Sequence, residues 1–163
     1  RERKLVPPRR PPRLRFPLVM TDVFSEEQRS YVMSRVGSKN TKPELLVRSY
    51  LHKAGFRYRI HGRKLPGNPD LVLPKYRTVV FVHGCFWHRH EGCRRATTPA
   101  SRVEFWQDKF DKNVARDRKN LALLQESDWR TIILWECEIA NVSGREKRLA
   151  ELADEISGRQ APE

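Results

Sequence analysis

Hydrophobic and polar positions along the chain follow two periods, one helical and one of two residues. Ser25-x-x-Gln28 is a capping-box pattern that predicts a helix over roughly 26–36, ended by Gly37-Ser38. A second box, Thr41-x-x-Glu44, carries Pro43 in its first turn, where a missing N–H costs nothing. That helix runs to about Ala54 and stops at Gly55, a residue suited to the left-handed position after a helix. "FRYRIH" (56–61) alternates as a half-buried strand does, and "DLVLP" (70–74) and "RTVVFVH" (77–83) are apolar runs that predict two more strands. Ser101-x-x-Glu104 predicts the start of a long helix over roughly 102–126. Its apolar stripe is Val103, Trp106, Phe110, Val114, Leu121 and Leu124. "WRTIILWE" (129–136) reads as a buried strand and 143–157 as a charged amphipathic helix. The order α-α-β-β-β-α-β-α predicts a three-layer α/β sandwich around a mixed sheet.

A chain of 163 residues fits one domain and is long enough to bury a core without disulfides. Three cysteines, an odd number, argue against a disulfide framework. No signal peptide and no apolar run of about 18 residues stands out, so a cytoplasmic protein with no membrane partner is expected. The net charge of +13 and pI of about 10.2 point to a polyanionic partner, nucleic acid before a membrane surface. Residues 1–20 hold seven Arg or Lys, one Glu and five Pro, which is +6 of that charge. They read either as a disordered, basic, proline-rich arm or as sequence upstream of a true start at Met20. The folded domain is expected over 21–157, with a short tail at 158–163. It stays basic without the arm.

The densest chemistry lies in "VVFVHGCFWHRHEGC", Val79 to Cys93. Cys85-x4-His90-x2-Cys93 offers three soft ligands in nine residues, and Cys137, at the end of the last predicted strand, could supply a fourth. Thiolates with one imidazole in a tetrahedral set suit Zn²⁺, and this assignment uses every cysteine in the chain. A closed four-ligand site is structural: it pins the loop and activates no water. The alternative is a set of buried cysteines beside a solvent histidine. Neither reading accounts for His83, His88, Phe86 or Trp87.

"NPD" (68–70) places Asp70 at the start of one strand of a hairpin whose partner ends in Val82-His83-Gly84. That is the layout of restriction-endonuclease-like nucleases, although their usual acid-x-lysine on the second strand is missing here. Together with the cysteine loop, the run HGCFWH, followed in order by EFW, NVARDR and WEC, closely resembles the very-short-patch repair endonucleases. These are DNA mismatch nicking enzymes, and the resemblance covers about residues 22–140.

The resemblance implies a restriction-endonuclease-like fold with a structural zinc. It also implies Mg²⁺-dependent nicking of double-stranded DNA, 5′ to the thymine of the T:G mismatch that arises when 5-methylcytosine deaminates. By the match, Asp70 ligates Mg²⁺, and Val82 ligates it through its main-chain carbonyl. Family members carry threonine at the Val82 position; a carbonyl ligand survives that change, but a hydroxyl contribution does not. His88 matches the catalytic histidine and Asp117 its orienting carboxylate. Glu44 and His83 match further active-site positions that hold metal-bound water or the phosphate. Each also has a plainer explanation: Glu44 as the third helix residue of its capping box, Asp117 as a salt-bridged helix residue, and His83 as a strand-end histidine.

The same match makes Phe86, Trp87 and Trp106 wedges that enter the base stack, with Met33 coming from the opposite, minor groove. Apolar wedges unstack a mismatch more cheaply than a matched step. Trp106 shares the apolar stripe of its helix, so core packing is the alternative there, as helix packing is for Met33. Lys109, Lys112, Arg116, Arg118 and Lys119 are candidates for phosphate contacts or for an ordinary solvated face. A monomer, with mismatch-repair proteins as possible partners, completes the expectation. The rival reading is a zinc-pinned DNA-binding module without cleavage, in which Asp70 and His88 are structural.

Overall fold

The computed structural model describes residues 39–158. The basic arm, the helix expected over 26–36 with Met33, and residues 159–163 lie outside the described residues.

Helix α1 (Lys42–Lys53) starts and stops where its sequence signals fall. Glu44 Oε1 accepts from the Thr41 amide at 3.3 Å and from Thr41 Oγ1 at 2.8 Å, which holds the first turn closed. At the other end Gly55 adopts φ +87°, and the amides of Gly55 and Phe56 donate to the carbonyls of His52 (3.1 Å) and Leu51 (2.9 Å). Only a residue without Cβ takes that conformation at no steric cost.

Among the described residues the sheet has four strands, β1 (Arg59–Ile60), β2 (Leu71–Leu73), β3 (Thr78–His83) and β4 (Arg130–Trp135), in the order β1-β2-β3-β4. The first three are antiparallel neighbours, and β4 runs parallel to β3. The sheet is therefore mixed, as expected. Helix α2 (Val103–Glu126) makes the long crossover that a parallel neighbour requires. The alternation over 56–61 yields only two strand residues, both exposed. Phe56 packs into the core instead, and the Tyr58 hydroxyl donates to the Arg48 carbonyl at 2.8 Å. The cap of α1 thus claims the front of that segment.

Period-two alternation separates two apolar clusters on opposite faces of the sheet. Leu71, Leu73, Val80, Ile132 and Leu134 pack with Val47 and Leu51 of α1, with Ile139 of a short helix α3 (Glu136–Ala140), and with Leu149, Leu152 and Ile156 of α4 (Val142–Ser157). Val72, Val79 and Phe81 pack on the other face with Leu124 of α2, with Leu121 and Trp129 at its margin. Helices cover both faces, and the class is α/β, consistent with a restriction-endonuclease-like fold.

Three expectations need correction. Arg102, in the left-handed conformation at φ 55°, holds the N-cap position of α2, so Ser101 and Glu104 are not spaced as a capping box on this helix. Val103, placed in the apolar stripe by spacing, is 49% exposed. Helix α3 was not expected; it carries Cys137 in its first turn, where the sequence suggested the end of a strand. No helix among the described residues is long and apolar enough to cross a membrane.

Candidate active site and metal centre

The loop after β3 folds by tight backbone bonds. The amides of His88, His90 and Cys93 donate to the carbonyls of Gly84 (3.1 Å), Cys85 (3.1 Å) and His90 (3.2 Å). These turns gather Cys85, His90 and Cys93, and α3 delivers Cys137, so that one ligand atom from each lies within 4.8 Å of all the others. Nδ1 of His90 is 3.2 Å from the Cys137 sulfur and 3.6 Å from that of Cys85. A tetrahedral zinc with sulfur bonds of about 2.3 Å has edges of about 3.8 Å, so three sulfurs and one nitrogen this close could hold a metal ion.

The surroundings fit that use. The His90 ring stacks on Trp135, with centroids 4.2 Å apart and planes 2° apart. The Cys85 amide donates to Glu136 Oε1 at 3.2 Å. Burial pushes the Cys85 thiol up to about 12 and raises Cys137, while the Arg95 amide leads the groups that lower Cys93. Without a cation, most of this sulfur set is protonated; a bound cation would displace those protons.

A second cluster faces α2. Nδ1 of His88 is 2.5 Å from Asp117 Oδ2, and the His88 ring stacks on His83 at 3.8 Å and 10°. His83, Asp117 and His88 also bring their ligand atoms within 4.8 Å of one another. Burial, then the charges of His88 and Arg116, drive His83 down to about 3 against the pull of Asp117, so His83 is neutral at working pH. Burial alone would raise Asp117; the His88 hydrogen bond, with the charges of His88, His83 and Arg116, outweighs it and holds the carboxyl below its ordinary value. An ionised Asp117 makes His88 Nδ1 the donor and leaves Nε2 as the basic nitrogen.

Asp70, just before β2, reaches across to β3: its Oδ2 accepts from the Val82 amide at 2.8 Å. Val82 and His83 are consecutive, so the carboxylate and the stacked histidines meet at the same end of β3. Burial and the charge of Glu44 raise the Asp70 carboxyl, while the Val82 amide and the charges of Arg48 and His61 lower it; the net shift is upward. Glu44 therefore lies within electrostatic reach of Asp70, 3% exposed at the start of α1. The Asp70 and Glu44 carboxylates are oxygen donors of the kind that suits a hard divalent cation.

The expected wedge residues form one aromatic cluster. Phe86 meets Trp87, Trp106 and Phe110 edge to face, with centroids 5.0, 5.5 and 5.1 Å away. Phe86 and Trp87 are half-buried at its outer side, and the Lys109 ammonium lies 5.1 Å above the Trp87 ring. Trp106 is only 6% exposed, against Phe86, Trp87, Phe105 and Phe110, so core packing is what it does in the DNA-free chain. Its neighbour Phe105 is the exposed ring, at 51%.

Sequence reasoning missed Arg48, whose i,i+4 spacing from Glu44 was a usable signal. It also missed Glu136 and Trp135, which nothing but their nearness to Cys137 marks. The His61 amide donates to the Asp70 carbonyl at 3.3 Å.

A nuclease-like hairpin beside a loop whose Cys/His cluster could hold a metal ion fits the class of DNA-cutting enzymes, and sequence comparison narrows it. The family described as "DNA mismatch endonuclease Vsr" matches residues 21–95. The chain is 48% identical to the type II nicking enzyme V.XorIIP of Xanthomonas oryzae pv. oryzae, over 83% of its own length and 98% of that protein. It is 47% identical to the type II nicking enzyme V.NmeAIP of Neisseria meningitidis (84% and 97%) and 44% identical to the DNA mismatch endonuclease Vsr of Escherichia coli (78% and 80%). The chain belongs to this family of very-short-patch repair endonucleases and is a nuclease acting on DNA.

Proposed function

We propose that the protein nicks one strand of duplex DNA 5′ to the thymine of a T:G mismatch, by Mg²⁺-dependent hydrolysis, and that zinc in the Cys85–His90–Cys93–Cys137 site stiffens the loop that does so. The observation that carries the reading is the 2.5 Å contact of His88 with Asp117 on a loop whose next histidine, His90, faces thiols.

Hydrolysis needs a nucleophilic water and relief of charge on the phosphoryl oxygens. The Asp70 carboxylate and the Val82 carbonyl would hold Mg²⁺, with Glu44 nearby. Bound there, Mg²⁺ supplies charge neutralisation at the phosphate and an acidified water. His88 Nε2 accepts the proton of the attacking water, and Asp117 stabilises the imidazolium that forms. His83, neutral and stacked on His88, holds that ring in place and offers the phosphate a donor without a competing charge. The loss of a hydroxyl at Val82 leaves a carbonyl ligand intact. Phe86 and Trp87, on the outer side of the aromatic cluster, are the wedges, and Trp106 backs them until DNA binds.

The test is a duplex carrying one T:G mismatch, incubated with the protein and Mg²⁺. The expected product is a nick in the thymine strand that disappears in EDTA and in Asp70→Ala. Equal cutting of matched DNA, or tight binding with no nick under any divalent ion, would rule the reading out.

A further inference from the structure

Three consecutive loop residues meet one face of α2. The Trp87 carbonyl accepts from Asn113 Nδ2 at 3.3 Å, and His88 Nδ1 lies 2.5 Å from Asp117 Oδ2. The guanidinium carbon of Arg89 lies 4.4 Å from the centre of the Phe110 ring. Positions 110, 113 and 117 are spaced i, i+3 and i+7, so they share one stripe of the helix. The loop therefore lies along α2. The attachment points of Arg89 and His88 are seven helix residues apart, which is about 10 Å of helix rise.

Trp87 and His88 have roles in the chemistry proposed above, and Arg89 has none. Yet its side chain is fully engaged. Nη1 donates to the Thr97 carbonyl at 2.9 Å and Nη2 to Thr98 Oγ1 at 3.2 Å. The ring beneath its guanidinium, Phe110, is 1% exposed. One side chain thus ties together the loop, the segment that leads into α2, and a core ring of α2 itself. Its backbone is left-handed, with φ 54°. A residue with a Cβ costs energy in that conformation and keeps it only where the surroundings fix it. That turn separates His88, which meets α2, from His90, which meets the thiols.

We propose that Arg89 is a positioning residue for His88: its fork on Thr97 and Thr98 and its contact with Phe110 hold the left-handed turn against α2, so that the His88 ring stays in register with Asp117. The inference rests on the role proposed above for His88. The rival role for a loop arginine in a DNA-acting enzyme is a phosphate contact, and kinetics separate the two. A lost phosphate contact weakens DNA binding and raises KM, whereas a misaligned His88 lowers kcat with DNA binding intact.

The experiment uses the full chain with ¹⁵N-labelled histidine rings, as the native protein, Arg89→Gly, Arg89→Lys and His88→Ala. Nuclear magnetic resonance reads the His88 Nδ1 proton, identified as the signal missing from His88→Ala. Nicking of the T:G duplex in Mg²⁺ gives kcat and KM, and zinc content and thermal melting report on folding. Glycine takes the left-handed conformation without strain, so Arg89→Gly removes the side chain and leaves the turn accessible. We expect Arg89→Gly to shift or broaden the Nδ1 proton and to lower kcat about tenfold, the scale of a misplaced active-site group. KM and zinc content should stay as in the native protein. Arg89→Lys should recover part of both losses, because an ammonium can remain over the ring but has no planar fork. An unmoved Nδ1 proton in Arg89→Gly, a raised KM with native kcat, or a loss of zinc would overturn the proposal. His88→Ala separates the two levels. Native nicking by that variant would remove the catalytic reading of His88, while the Nδ1 proton would still decide whether Arg89 holds its ring.

Discussion

Two histidines separated by a single residue, His88 and His90, present the same atom to different chemistry. Nδ1 of His90 lies 3.2 Å from the Cys137 sulfur, and its ring stacks on Trp135. Nδ1 of His88 lies 2.5 Å from the Asp117 carboxylate, and its ring stacks on His83. Between them Arg89 adopts a left-handed φ of 54°, which turns the chain so that the two rings address different elements, α3 and α2. An imidazole among thiols could hold a metal ion; one bonded to an ionised carboxylate through Nδ1 has its free lone pair at Nε2. In the function proposed above, one ring is structural and the other catalytic, and the partner each meets distinguishes them where residue type does not.

The largest effect that can break this comparison is expected at His90. His90→Ala should release the zinc and lower the melting temperature sharply, because the free energy of a structural zinc site, on the order of 10 kcal/mol, is folding free energy. Metal analysis with calorimetry reads this; a variant with full zinc and native melting would place His90 outside the knot. His88→Ala should do the reverse. It should keep zinc and melting temperature while kcat falls about 10²–10⁴-fold, the usual contribution of a general base. Asp117→Asn should cost less, about 10–100-fold, because it disturbs only the orientation and tautomer of His88. If it proved harmless, His88 would not need its partner.

Phe86→Ala or Trp87→Ala should weaken mismatch binding about tenfold and leave zinc content unchanged, because a lost base–aromatic stack is worth about 1–3 kcal/mol. Undiminished affinity would confine both rings to the internal cluster. The smallest effect concerns acid stability. Asp117 is held below its ordinary value of 3.8, so it contributes stability that is complete above that pH and is lost as the pH falls through the lower folded value. Acid unfolding of the native chain should therefore be steeper below pH 3.8 than that of Asp117→Asn, and superimposable curves would contradict the pairing.

Much of this was legible in the sequence, for identifiable reasons. The helix over Lys42–Lys53 has signals at both ends, and the short, β-branched apolar runs in β2, β3 and β4, bounded by turn residues, read as buried strands. The spacing of Cys85, His90 and Cys93 is local, so the turn that gathers them is written in consecutive residues. What was not legible depends on long-range packing. Nothing within 56–61 says that the cap of α1 shortens the strand. The exposure of Phe105 and the burial of Trp106 follow from how α2 lies against the sheet, which adjacent positions cannot reveal. Arg48 was readable only as a helix-face ion pair with Glu44; that both are buried depends on α1 packing against the sheet.

Zinc K-edge absorption on the native protein and on His88→Ala tests the division of labour most directly. Both should give three sulfurs at about 2.3 Å and one nitrogen at about 2.0–2.1 Å, with nicking lost only in the variant. A second nitrogen in the native shell that vanishes in His88→Ala would show that the two histidines share one task, and would contradict the account.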